Sequence, residues 1–154
     1  METFLGTKCI SATPMTLGAY NEHRGWTIPD EDPDTAGYLV VYPDGYKSWS
    51  PQLQFDEAYR ADGHFNFGHA VYLLKEGFRV ARSGWNGKGM FLFLVAGSNN
   101  LTVNREPLLS ILGEGAKFTY QPHVDMFTAD GTIVPWLCSQ SDMLAEDWCI
   151  VPDA

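Results

Sequence analysis

From Phe67 onward, apolar side chains recur at Phe67, Ala70, Val71 and Leu74. This i, i+3, i+4, i+7 spacing marks one face of a helix, with Asn66 placed to cap it and Gly77 to stop it. Beyond Gly77 the period shortens. Phe78–Arg82 reads as a strand, a Gly-rich turn follows, and Met90–Val95 reads as a second strand. Met90–Val95 is apolar without alternation, the pattern expected of a strand buried on both faces. Lys117–Gln121 and Val124–Thr128 are strand-like, Ala129-Asp130-Gly131 is a turn, and Thr132–Leu137 is a further strand. Ser139–Glu146 fits a helix and Trp148–Val151 a final strand, whereas Thr102–Leu112, with Pro107 and a Leu-Leu pair, suits a short helix or an irregular segment.

The first 63 residues are patterned differently. Thr16 is placed to cap a short helix over Leu17–Arg24 that ends at Gly25. An acidic, proline-bearing loop, TIPDEDPDTAG, leads to a strand at Gly37–Tyr42. Pro43-Asp44-Gly45 signals a turn, and Tyr46–Trp49 can return as its partner. Ser50-Pro51 then opens a helix with Phe55, Ala58 and Tyr59 on one face. The predicted fold class is α+β: a small antiparallel-sheet domain with a few helices over residues 64–154, preceded by a helix–hairpin–helix module over residues 1–63. Ala61-Asp62-Gly63 is the expected joint.

The bulk properties narrow the function. A chain of 154 residues with 45% hydrophobic content can bury an ordinary core. A formal net charge of −9 argues against polynucleotide binding, which draws on Lys and Arg to displace counterions. It leaves room for a small anion held by a local field. Residues 1–63 carry ten acids against four Lys/Arg, and residues 64–154 carry nine against six, so the second half tolerates an anion better. Three cysteines without CxxC spacing indicate neither a disulfide framework nor a zinc ribbon, and a reducing cytoplasm is expected. No apolar run approaches membrane-spanning length, and there is no signal-peptide pattern.

Val80–Val95, VARSGWNGKGMFLFLV, carries the most suggestive chemistry. Gly84, Gly87 and Gly89 permit positive φ and close backbone approach to a ligand; Trp85 adds a flat aromatic face and Lys88 a cation. Backbone donors, a cation and an indole in one turn suit a ligand that is part anion and part ring, as a nucleotide is. The same residues can equally make a plain hairpin with a core-capping Trp. A second cluster, Trp136 with Ser139, Gln140, Ser141 and Asp142, lies at a predicted helix start. There a Ser cap and an acidic first turn are the structural reading, and an anion or ribose contact is the functional one. Two Trp-bearing turns beside polar amides can clamp a base from opposite sides. Arg82, Lys88 and Arg105 are candidates for phosphate pairing or are solvated charges. His123 and Asp125 fall on one side of a strand, spaced for an acid–base pair, but no nucleophile or third metal ligand accompanies them. Asn21, His23, Arg24 and Trp26 form a polar-aromatic knot read as a helix end, and the Asp30–Asp34 loop does not match an EF-hand. There is no P-loop, Rossmann glycine pattern, HExxH or GxSxG.

GWNGKGM, PHVDM, ADGTIVPW and SQSDMLAEDW, in that order between about Phe65 and Val151, closely resemble the Thoeris anti-defense sponge family of phages and prophages, once catalogued as a domain of unknown function. The resemblance implies a non-enzymatic protein without cofactor or metal. Such a protein binds cyclic ADP-ribose isomers, and in some relatives cyclic dinucleotides, in the cytoplasm of the infected host, keeping a downstream effector off. It also implies homo-oligomers, dimeric or tetrameric, with ligand pockets between protomers. Carried over by motif, the ligand-binding candidates are Trp85, Asn86, Met90, Trp136, Ser139, Gln140 and Asp142, with Arg105 and His123 as additions. Minimal family members lack residues 1–63, which look like a small module of phage-encoded proteins. Two other classes compete: an enzyme that degrades the same nucleotide through His123 and Asp125, and a virion or host-interaction module whose acidic first unit is the active part.

Overall fold

The computed structural model describes residues 1–27, 29 and 31–153. The chain divides into two units, Met1–Arg60 and Ala61–Ala154.

The first unit is built on a three-stranded antiparallel sheet in the order β1-β2-β3, with β1 Ser11–Pro14, β2 Gly37–Val41 and β3 Lys47–Pro51. Helix α1, Leu17–His23, follows β1, and α2, Gln52–Ala58, follows β3. The expected hairpin is β2–β3, with Ser50 opposite Tyr38 and Trp49 opposite Leu39. The sequence reading missed β1. Its four residues, SATP, are all exposed and carry no alternation, because an edge strand needs only main-chain pairing, and Pro14 is tolerated there. Thr16 caps α1 as expected, its hydroxyl accepting the Ala19 N–H at 3.2 Å. Pro51 sits at the N-cap of α2, one position earlier than expected. Gly37 is fixed by packing: a Cβ there would overlap the Trp49 ring and the Ser50 carbonyl. Trp49 is further tied down by its indole N–H, which donates to the Met15 carbonyl at 2.8 Å.

The second unit opens with α3, Phe67–Lys75, and continues through β4, Arg79–Arg82, and β5, Phe91–Val95. An arm follows: β6, Ser98–Thr102, then α4, Leu108–Leu112, then β7, Lys117–Tyr120. The chain closes with β8, His123–Phe127; β9, Ile133–Pro135; α5, Gln140–Met143; and β10, Trp148–Val151. Five strands pair antiparallel in the order β10-β4-β5-β8-β9, and β6 pairs with β7 separately. The N-terminus of α3 is a capping box: Asn66 Oδ1 accepts the His69 N–H at 3.0 Å and His69 Nδ1 accepts the Asn66 N–H at 3.2 Å. Helix α3 packs on β4, β5 and β10. Ala70, Leu73 and Leu74 meet Val80, Leu92 and Trp148 there in the core.

Sheet register corrects the expectation for Met90–Val95. Leu92 is fully buried under α3, but Phe91, Phe93 and Val95 point to the opposite face and are half-buried, and Leu94 is exposed. The opposite face carries Phe91, Phe93, Asp125 and Phe127, with Phe91 stacked on Phe127 at 5.1 Å. A continuous apolar run thus reports two apolar faces, only one of which this chain fully covers. The arm strand β6, SNNLT, was also missed. It is polar and bulged between Ser98 and Leu101, with Asn100 at φ 55°. The Ser139–Glu146 helix shrinks to the single turn of α5.

A candidate ligand site built on Asp142

The turn between β4 and β5 and the segment from Trp136 to α5 are far apart in sequence, and one carboxylate joins them. Asp142 Oδ1 accepts Arg82 Nη1–H at 2.7 Å and the Trp85 indole N–H at 3.0 Å. Its Oδ2 accepts the Ser139 hydroxyl at 2.6 Å, while Ser139 Oγ accepts the Asp142 backbone N–H at 3.1 Å and so caps α5. The Asp142 carbonyl accepts the Trp148 indole N–H at 3.1 Å. Arg82 spans two acids, since its Nε–H donates to Asp147 Oδ1 at 2.8 Å. Asp147 Oδ2 in turn accepts the Gly84 N–H at 2.8 Å, and a Cβ on Gly84 would lie 2.7 Å from it. A side chain at position 84 would crowd the carboxylate that anchors the turn, and Gly89, at φ 71°, suits the reversal into β5.

The ion group is half-buried, with side-chain exposures of 18% for Arg82, 13% for Asp142 and 29% for Asp147. Burial alone would raise the Asp142 carboxyl. Hydrogen bonds from Ser139, Arg82 and Trp85 outweigh it and hold the group below the usual carboxylate range. The Arg82 hydrogen bond does the same for Asp147 despite partial burial. Arg82 is raised in turn by Asp147 and Asp142. Arg82 is thus neutralised by two carboxylates and is not the phosphate-pairing cation that the sequence allowed.

The indoles have a packing duty. Trp85 and Trp136 each meet the fully buried Trp148 edge to face, at 5.5 Å and 6.2 Å between ring centroids. Both lean on the core and are half-buried. The two Trp turns therefore come together on one shared indole. The free polar groups nearby in sequence, Asn86, Lys88 and Gln140, are exposed. Met90 folds back over Gly87, where a Cβ would collide with its thioether. At the start of the one-turn α5 the Asp142 N–H is taken by Ser139 Oγ. Leu137, Met143 and Leu144, flanking this segment, are exposed apolar side chains that the sequence reading did not single out.

Two candidates fall elsewhere. His123 and Asp125 lie on the sheet face opposite Trp148, as the pairing of Leu92 with Met126 and of Phe93 with Asp125 requires. His123 Nδ1 bonds the Gln121 carbonyl at 2.9 Å, and its Nε2 stands 3.7 Å from Asp125 Oδ2, beyond hydrogen-bond distance. Arg105 is exposed on the connection between β6 and α4 and makes no contact with the Asp142 group among the described residues. Among those residues, no group of three or more His, Cys, Asp and Glu side chains is placed to hold a metal ion. No helix among them is long and apolar enough to cross a membrane. Asp30, the first acid of the Asp30–Asp34 loop, lies outside the described residues.

The residues that build this arrangement coincide with a known family. The model of the Tad2-like family, described as the Thoeris anti-defense 2-like domain, matches residues 65–151. This chain belongs to the Thoeris anti-defense 2-like family. Thoeris anti-defense 2 of Bacillus phage SP01 is 43% identical over 91 residues, which span 56% of this chain and 93% of that protein. The chain is accordingly a member of a phage anti-defense family. Arg82, Trp85, Ser139, Asp142, Asp147 and Trp148 all lie inside the matched segment, and the first unit lies outside it.

Proposed function

We propose that the second unit binds a cyclic nucleotide immune signal, a cyclic ADP-ribose isomer in the first instance, and withholds it from its receptor without altering it. The observation that carries this reading is the Asp142 junction. It fastens the GWNGKGM turn to the SQSDM segment through Trp85, Arg82 and Ser139, and these two joined segments carry the exposed Asn86, Lys88 and Gln140 and the half-buried Trp85. Preorganisation of this kind removes much of the ordering cost of binding. Competing with a sensitive receptor calls for nanomolar affinity, about −12 kcal/mol. Stacking on an aromatic ring supplies about 1–3 kcal/mol per base, and charge-assisted hydrogen bonds about 1.5–3 kcal/mol each. A few contacts of each kind reach that range.

Retention without turnover is favoured because the acid–base candidates are misplaced for it. His123 and Asp125 sit on the other side of the sheet from the Trp85–Asp142 junction, and no nucleophile is tied to them. We further infer a homo-oligomer formed through that other face. Arg79, Phe93 and Asp125 lie in one row across it, flanked by Phe91 and Phe127. Arg79 Nε and Asp125 Oδ1 are buried without a hydrogen-bond partner among the described residues. Opposite charges on either side of a phenylalanine are self-complementary about a two-fold axis, as an isologous interface requires. Calorimetric titration of the full chain with cyclic ADP-ribose isomers and cyclic dinucleotides tests the main reading. Saturable binding of at least one is expected, and no heat with any of them refutes it, in favour of a host-interaction module.

A further inference from the structure

The first unit contains a cleft outside the family-matched residues, and its walls are set by the way α1 ends. Gly25, at φ 73°, reverses the chain: its N–H donates to the Glu22 carbonyl at 3.0 Å, and the Trp26 N–H donates to the Asn21 carbonyl at 2.8 Å. This double bond pattern folds Trp26 back beside the helix end. Arg24 then lies 3.8 Å over the Trp26 ring and 4.8 Å over Tyr20. Its Nε–H and Nη2–H both donate to Asn21 Oδ1, at 3.0 and 2.6 Å. Asn21, only 8% exposed, passes the constraint on, its Nδ2–H donating to Glu31 Oε2 at 3.1 Å. Across the cleft, the Gly18 N–H holds the Pro33 carbonyl at 2.9 Å, an approach that a Cβ on Gly18 would block.

The result is an open cleft of about 420 Å³ whose polar wall is Asn21, Glu22 and Glu31 and whose aromatic wall is Trp26. Among the described residues no Lys or Arg lines it; Arg24 is turned onto Asn21 and the Trp26 ring. Trp26 remains 59% exposed although its N–H is bonded to the Asn21 carbonyl and its ring lies under Arg24. An immobilised, exposed indole beside an oriented carboxylate is the chemistry that receives an organic cation. The carboxylate accepts N–H bonds, and the ring packs on the flat or aliphatic part. The acidic excess of residues 1–63 has the same sign.

We propose that this cleft binds a guanidinium or ammonium group carried on a short carbon body, with Glu31 and Glu22 as acceptors and Trp26 as the packing surface. Such a group occurs on free amines and on arginine side chains, and titration separates the two. The full chain is titrated calorimetrically with agmatine, spermidine and Nα-acetylarginine amide, at low and at moderate salt. Saturable binding of one equivalent of at least one probe is expected. Glu31→Gln and Trp26→Ala should each weaken it tenfold or more, with Glu57→Gln, which removes an exposed charge from α2, leaving it unchanged. Retained circular dichroism of Glu31→Gln makes that variant decisive on its own should Trp26→Ala unfold. Agmatine or spermidine binding without acetylarginine amide identifies a free cation; binding of the amide identifies an arginine side chain. The absence of saturable heat with all three probes overturns the proposal, and so does an equal loss in Glu57→Gln and Glu31→Gln.

Discussion

Replacing Asp142 by Asn removes one charge and little volume, and its cost follows from the bonds counted at that carboxylate. Oδ1 receives Arg82 and Trp85, and Oδ2 receives Ser139. An amide can keep its oxygen toward Arg82 and Trp85 and turn its nitrogen to Ser139 Oγ, so the geometry largely survives and the charge does not. Charge-assisted bonds are worth about 1.5–3 kcal/mol and neutral ones about 1 kcal/mol. Weakening two of them by about 1 kcal/mol each gives a loss of about 2 kcal/mol in this half-buried site. Asp142→Ala also strands the Arg82 guanidinium and the Trp85 N–H, and for it the range for breaking a buried pair, about 3–5 kcal/mol, applies. Amide hydrogen exchange in β4 and β5 reads the second unit by itself. A loss of 2 kcal/mol should speed the slowest of those amides by about thirtyfold, and the same loss should lower the melting temperature by about 8–16 °C. A change under about 0.5 kcal/mol for Asn, with the near-ultraviolet signal of the indoles unaltered, would refute the idea that Asp142 holds the two segments together.

Asp142 and Asp147 have folded values below their unfolded values near 3.9, so their contribution is complete above that pH and disappears as pH falls through the folded values. Stability of the second unit should therefore be flat from about pH 7 to 5 and fall below about pH 4; denaturant midpoints across that range check this, and Asp142→Asn should flatten the fall. Gly37→Ala should cost the first unit about 1–3 kcal/mol by overpacking, because its methyl group meets the Trp49 ring and the Ser50 carbonyl; amide hydrogen exchange in β2 and β3 measures it. Asn86→Ala and Gln140→Ala, both at exposed positions, should weaken calorimetric binding of cyclic ADP-ribose isomers at least tenfold with an unchanged melting temperature; full affinity in both removes them from the site. Phe93→Asp should lower the sedimenting mass toward that of one chain, and an unchanged mass would place the inferred interface elsewhere.

The helix face of α3 was legible because Asn66, Phe67, Ala70, Leu74 and Gly77 obey one period from cap to stop. The strands of the second sheet were legible because turn residues bracket them. β1 and β6 were not, since SATP and SNNLT hold their places by main-chain pairing and carry no side-chain pattern. The sequence set the turns of Trp85 and of Ser139 and Asp142 against each other around a base, but not the bonds that join them. Their union depends on Arg82 and Asp147, partners 65 residues apart, and on Trp148, which the sequence presented only as part of a final strand. Arg82 shows the limit of reading charges singly: the same side chain can meet a phosphate or two carboxylates, and only the register that sets Trp148 opposite Arg82 decides for the acids. Periodicity misjudged Phe91 and Phe93 for a related reason, because an apolar strand looks the same whether its second face meets its own chain or another.

Incubating the full chain with a cyclic ADP-ribose isomer, removing unbound ligand, denaturing the protein and analysing the released small molecule by mass spectrometry separates holding from destroying. Recovery of the same compound, intact and in stoichiometric amount, is the expected result. Recovery of linear or hydrolysed products, or of nothing, would contradict it.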